Sequence, residues 1–218
     1  MTVFVLVFLP LTISLGFWQV SRGAQKRALE EAYLASLGRL PVAVSAMTRT
    51  DFERVRLSGR FGHEVFLVDN QVRHGVTGYW LIQSFYDTSG DTYLVNRGFI
   101  AGSASRATLP SIDSPPGDVV LVGALWPFLG LIPVLDDDRW APDWPKRVQR
   151  LDIARMANAV SARPFEIRLE PGAPGVQNAA PFAARLDDAT HRGYAATWFG
   201  LAGALLVAYV VFGLRAHK

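Results

Sequence analysis

His191 and Trp198 stand seven residues apart in HRGYAATWFGLAGALLVAYVVFGLRAHK, the C-terminal end of the chain. Seven residues make nearly two α-helical turns, so a helix here projects both side chains from one face. An imidazole is titratable and a metal ligand; an indole offers a flat apolar ring. Tyr194 to Leu214 carries no charged side chain. At 1.5 Å per residue that stretch makes about 31 Å of helix, enough to cross a hydrocarbon core of about 30 Å. His191 lies just outside the expected span and Trp198 just inside it. A metal-binding group at the mouth of a membrane helix suggests function more than packing. The competing reading is plain interfacial anchoring, with histidine bonding to headgroups and tryptophan in the aromatic belt.

A helical wheel divides this segment into two faces. His191, Ala195, Trp198, Ala202, Leu205 and Tyr209 share one. Ala196, Gly200, Ala204 and Ala208 form a small-residue stripe on the opposite one. Such stripes let a neighbouring helix approach closely. The expected arrangement is therefore packing through the small face, with the His/Trp face turned elsewhere.

Met1 to Ser21 is a second uncharged segment, interrupted by Pro10, which membrane helices tolerate. A cleaved signal peptide would want a basic leader and a small-x-small cleavage site. No Lys or Arg precedes Arg22, and Ser14 and Gly16 match such a site poorly. An uncleaved anchor is the better reading. The start is abrupt, and the sequence leaves open that further residues precede it. The expected division is a first transmembrane helix over 1–21, a β-rich domain over 22–190, a second transmembrane helix over 191–214 and a tail over 215–218.

The formal charge is +3, and the basic residues are scattered rather than striped, so nucleic acid is not an expected partner. There are no cysteines, which excludes disulfides, thiolate zinc sites and c-type heme attachment. Ser21 to Leu37 is rich in helix formers and should extend the first helix, with Gly38 and Pro41 ending it. Short β-like runs follow: 53–61, 64–71, 78–87, 91–100, 118–128 and 164–170. Thr88-Ser89-Gly90 reads as a hairpin turn between two of them. LDIARMANAV (151–160) reads as a short helix capped by Asp152. The expected class is a membrane α+β protein: two transmembrane helices flanking a mostly antiparallel sheet or open barrel.

In order along the chain, LGFWQVSRGAQKRAL (15–29), LSGRF (57–61), VDNQVRHGVTGYW (68–80), YLVNRGFI (93–100) and HRGYAATWFGLA (191–202) resemble segments of the Surfeit locus protein 1 family. Members of that family are assembly factors of heme-copper cytochrome oxidase. The sequence departs from the family pattern at Gln83-Ser84, where Thr-Pro is usual, and at Phe99 and Ala101, where Trp and Pro are usual. A count of flanking positive charges would place the domain in the cytoplasm. The resemblance instead implies an extracytoplasmic domain, here the periplasmic side of a bacterial inner membrane, since no Arg/Ser-rich transit segment is present.

The resemblance also implies a role for His191 as a ligand of heme a iron. Trp198 would stack on the porphyrin, with Tyr194 in the same cofactor set and Arg22 pairing with a propionate. Trp18, Gln19 and Arg22 otherwise read as an ordinary interface anchor. The implied partners are cytochrome c oxidase subunit I, heme a synthase and the lipid bilayer. The alternative is a scaffold that stabilises a subunit I intermediate without binding heme. An enzyme is not expected, because no nucleophile elbow, P-loop or H-E-x-x-H motif is present.

Smaller features carry plainer readings. Asn96-Arg97-Gly98 reads as a strand-ending turn, with Gly98 at positive φ and Arg97 in a local ion pair. His63 and His74 read as solvated. Asp136, Asp137 and Asp138 read as a weak cation site or, more plainly, a solvated loop.

Two spans with both chain ends on the cytoplasmic side make a direct expectation. Alkaline phosphatase fused to the C-terminus should be inactive in intact cells, and activity there would overturn the topology.

Overall fold

A computed structural model describes residues 2–103, 105, 108–131, 139–179 and 189–216. The chain divides into two compact units: residues 1–32 with 182–218, and residues 33–181. The first holds most of helix α1 (Thr2–Leu37) together with helix α3 (Ala189–Ala216). Both helices are long and apolar enough to cross a membrane. Pro10 lies inside α1, where it costs a backbone hydrogen bond. Two residues on, the Thr12 hydroxyl donates to the Phe8 and Leu9 carbonyls, each at 2.9 Å. The charged stretch after Ser21 continues the same helix, which stops at Gly38 as the sequence predicts.

The second unit is built on one long strand, β2 (Arg54–Arg73). The sequence suggests two strands here, 53–61 and 64–71, because the alternation breaks at Gly59. The structure instead keeps one strand with a register shift between Phe61 and Val65. Gly59 is its corner, pairing with Val119 of β5 (Val119–Trp126) and with Asp87 of β3 (Val76–Asp87). A Cβ at Gly59 would fall 2.0 Å from the Tyr86 carbonyl oxygen, so the approach requires glycine. The remaining neighbours are β4 (Thr92–Ala101) on β3, and β7 (Glu166–Leu169) between β4 and β5. The pairings β2–β3–β4–β7–β5–β2 therefore close into a ring. The expected open barrel is a closed one. It is mostly antiparallel, but β4–β7 is parallel, as are the short flanking strands β1 (Val42–Ala43) and β6 (Lys146–Val148) on β2.

Val55, Leu57, Phe85, Tyr93, Val95, Leu121 and Ile167 form one core. Phe66, Val68, Ile82 and Leu94 point to the opposite face and pack under α2 (Ile153–Val160), through Met156 and Ala157. Val65, Leu67, Tyr79 and Leu81 bury a third cluster. The β2–β3 hairpin is thus covered on both faces, which is why its sequence runs EVFLV and YWLI without alternation. The Asp152 carboxylate accepts from the Arg155 N–H at 3.1 Å and caps α2 as expected. Thr88–Gly90 joins β3 to β4 with Gly90 at φ 91, also as expected.

Arg97 departs from its sequence reading. Gly98 does take a positive φ, of 98, but Arg97 is fully buried and makes no ion pair among the described residues. Its guanidinium is spent on neutral acceptors: the Gly175 carbonyl at 2.7 Å, the Asp113 carbonyl at 2.5 Å, Ser114 Oγ at 2.9 Å and Gln83 Oε1. It also lies 4.8 Å from the Phe61 ring centroid. Burial pushes its pKa down to about 10, partly offset by the charge of Asp113. Gln83, one of the departures from the family pattern, is thus an Arg97 acceptor. Removing the guanidinium strands several buried acceptors, at a cost of about 3 kcal/mol. Arg97→Met should lower the stability of the full chain by that order in chemical denaturation in detergent; an unchanged midpoint would show that the hub is dispensable.

Candidate functional site at the helix pair

Within the helical unit, α1 and α3 run antiparallel. Thr2 lies opposite Tyr209, Gly16 and Phe17 opposite Phe199, and Gln19 opposite His191. Val5, Leu9, Thr12, Gly16, Gln19 and Gly23 are among the more buried positions of α1. Those of α3 include His191, Ala195, Trp198, Ala202, Leu205 and Tyr209. Both sets step by alternating threes and fours, the spacing of a coiled-coil seam. A Cβ on Gly16 would sit 2.5 Å from the Phe199 ring, so glycine permits the close approach there.

The expected packing is therefore reversed. The His/Trp face of α3 is the packed one, and Ala196, Gly200, Ala204 and Ala208 are exposed. The physical reason is that Ala195 and Ala202 punctuate the His/Trp face, making it a mixed knob-and-hole surface. A wheel that groups residues by size alone overlooks this.

His191 is half-buried, and its Nδ1 lies 2.6 Å from Gln19 Oε1. Trp198 is half-buried on the same face, about 10 Å along the helix axis. Tyr194 is 56 % exposed. Arg22 is exposed; its Nη1 donates to Gln25 Oε1 at 3.2 Å, and its guanidinium lies 5.8 Å from the Trp18 ring centroid. A cavity of about 320 Å³ opens beside the dyad, lined by Gln19, Val20, Gly23, Arg27, Arg192 and Ala195. Two small residues, Gly23 and Ala195, leave the space, and two guanidinium groups border it.

The structure thus joins His191 to Gln19 and places Arg27 and Arg192, not Arg22, at the adjacent cavity. Reading the residues alone gave Gln19 only an anchoring role and counted Arg27 and Arg192 only as flanking charge. A wheel drawn for α1 would have found Gln19, the amide side chain in a seam with Thr12, Gly16 and Gly23.

The sheet unit has a larger groove of about 710 Å³, reached by Phe61, His63, Ile112 and Trp144. Its polar wall, Gln83 and Ser114, is committed to Arg97. His63 is an exposed neighbour of Glu64, with Nδ1 3.3 Å from the carboxylate. Burial works to raise the Glu64 carboxyl, but hydrogen bonds from Ser84 and Tyr86 outweigh it and hold it below the ordinary carboxylate value. Among the described residues no three His, Asp or Glu side chains converge as a metal site. Asp136 to Asp138 lie outside the described residues.

In sequence, the closed barrel falls between two helices of membrane-spanning length. The SURF1 family model matches residues 6–203, and the chain belongs to that family. It is 26 % identical over 219 residues to the SURF1-like protein of Rickettsia felis, covering 95 % of this chain and 94 % of that one. It is 27 % identical over 229 residues to Surfeit locus protein 1 of Xenopus tropicalis, covering 91 % of this chain and 71 % of that one.

The seam makes a contrast that can be measured. Ala202→Leu should lower the melting temperature of the detergent-solubilised protein by several degrees, because overpacking a closed contact costs about 1–3 kcal/mol. Ala204→Leu, on the exposed stripe, should leave it unchanged. Equal effects would show that the packed face is misassigned.

Proposed function

We propose that this protein is an assembly factor for heme-copper cytochrome c oxidase, holding heme a at the head of the helix pair and presenting it to subunit I. The observation that carries the reading is His191, half-buried in the seam beside a cavity with two arginines. The donor set fits the group. A neutral imidazole suits heme iron, guanidinium groups suit porphyrin carboxylates, and a seam at the bilayer edge suits an apolar macrocycle. His191 would hold the iron, Arg27 and Arg192 the acidic substituents, and Trp198 and Tyr194 would offer aromatic surface. Bound heme a would supply its redox chemistry only after transfer to the oxidase. This chain's own residues bind, orient and release; they make or break no covalent bond.

In this reading the barrel faces the periplasm of a bacterial inner membrane, and heme a synthase supplies the cofactor. A second reading is a scaffold that contacts subunit I without heme. The exposed stripe Ala196–Gly200–Ala204–Ala208 supports it, since it allows close approach of another membrane helix.

The protein purified from cells that make heme a should show a heme a signal in a reduced-minus-oxidised spectrum. His191→Ala should lose most of that signal and lower oxidase activity at unchanged membrane abundance, and Trp198→Phe should lose less. Full heme a retention and full oxidase assembly in His191→Ala would remove the ligand role and leave the scaffold reading.

A further inference from the structure

We propose that Gln19 is the positioning residue of this site: it fixes the tautomer of His191 so that Nε2 is left unprotonated and able to take a metal. This rests on the reading of His191 as an iron ligand, but its first test is independent of heme.

The geometry gives the warrant. Gln19 Oε1 lies 2.6 Å from His191 Nδ1 in a part-buried contact between α1 and α3. An amide oxygen can only accept, so the ring nitrogen facing it must carry the proton. The proton is then on Nδ1, and the lone pair is on Nε2, across the ring from α1. Imidazole in water prefers the opposite arrangement, with the proton on Nε2, which blocks the nitrogen that reaches farthest from the backbone. A carbonyl acceptor behind the ring both inverts that preference and stops ring rotation. Metal-bound histidines commonly have such a partner, and its loss typically costs 10- to 100-fold in metal affinity.

The contact is well placed to act. Gln19 occupies a seam position between Gly16 and Gly23, so its backbone is fixed by close helix contact rather than by a loop. Gln19 also lines the cavity that carries Arg27 and Arg192. One side chain thus touches both the imidazole and the space expected to receive the anionic part of a ligand. A merely structural hydrogen bond would fix the same tautomer but would leave ligand affinity at Nε2 unchanged when Gln19 is replaced. That difference is what the experiment reads.

The full-length apo-protein is labelled with ¹⁵N-histidine in nanodiscs, and the His191 ring nitrogens are assigned by difference against His191→Ala. Wild type should show the Nδ1–H tautomer of the neutral ring. Gln19→Glu, which keeps an acceptor oxygen, should retain it, and Gln19→Leu should shift the ring toward Nε2–H. Heme a added in detergent should bind about 10-fold or more weakly to Gln19→Leu than to wild type, with Gln19→Glu near wild type. An Nε2–H tautomer in wild type, or an unchanged tautomer in Gln19→Leu, overturns the inference, and the wild-type spectrum alone decides this if the leucine variant fails to fold. If the tautomer behaves as expected but heme a binds neither wild type nor variants, the heme reading and the positioning role both fall, and Gln19 is left as an interhelical hydrogen-bond acceptor.

Discussion

The sheet unit depends on one strand keeping two partners. β2 runs beside β5 along its first part and beside β3 along the rest, and the exchange takes place at Gly59. Backbone donors and acceptors there serve two neighbours, so none is left facing an open edge. The Tyr86 carbonyl comes so near Gly59 that any side chain would force the strands apart. With the strands apart, β5 would lose its second neighbour and the ring would become a sheet with two unprotected edges. The apolar residues on the inner face, Leu57 and Phe85 among them, are enclosed only because the ring closes.

Inside that ring a guanidinium has no carboxylate partner among the described residues. Arg97 is held by two carbonyls, a hydroxyl and a glutamine from three separate stretches of chain. The Asn96 amide works alongside it, donating to Glu166 Oε1 at 2.7 Å and accepting from the Gly98 N–H. The Asn-Arg-Gly segment that helped reveal the family is therefore concerned with the fold. The helix pair holds the histidine, the glutamine and the two arginines.

Much of this was legible beforehand, and the failures have physical causes. Continuous uncharged runs mark the helices, and Asp152 marks the start of α2, because span length and capping are local properties. The turn at Thr88–Gly90 is local too. Barrel closure is not: nothing near Gly59 in sequence announces Val119. The ion pair expected for Arg97 followed from reading Asn-Arg-Gly as a strand-ending turn. The structure meets the cost of burying this cation with neutral dipoles drawn from residues 14 to 78 positions away. The face of α3 that packs was misread because pairing depends on α1 as much as on α3. The candidate histidine and tryptophan were visible from spacing, whereas Gln19 became visible only when the two helices were placed side by side.

The wiring of Arg97 also constrains the order in which the barrel can form. A guanidinium stays hydrated until replacement acceptors arrive, since shedding water early leaves a bare charge in an apolar interior. Gln83 is near in sequence and can reach it as β3 and β4 zip together. The Gly175 carbonyl comes from beyond the last strand. Full replacement of that water therefore needs the segment after β7 in place, so the far end of the domain completes the solvation of this charge.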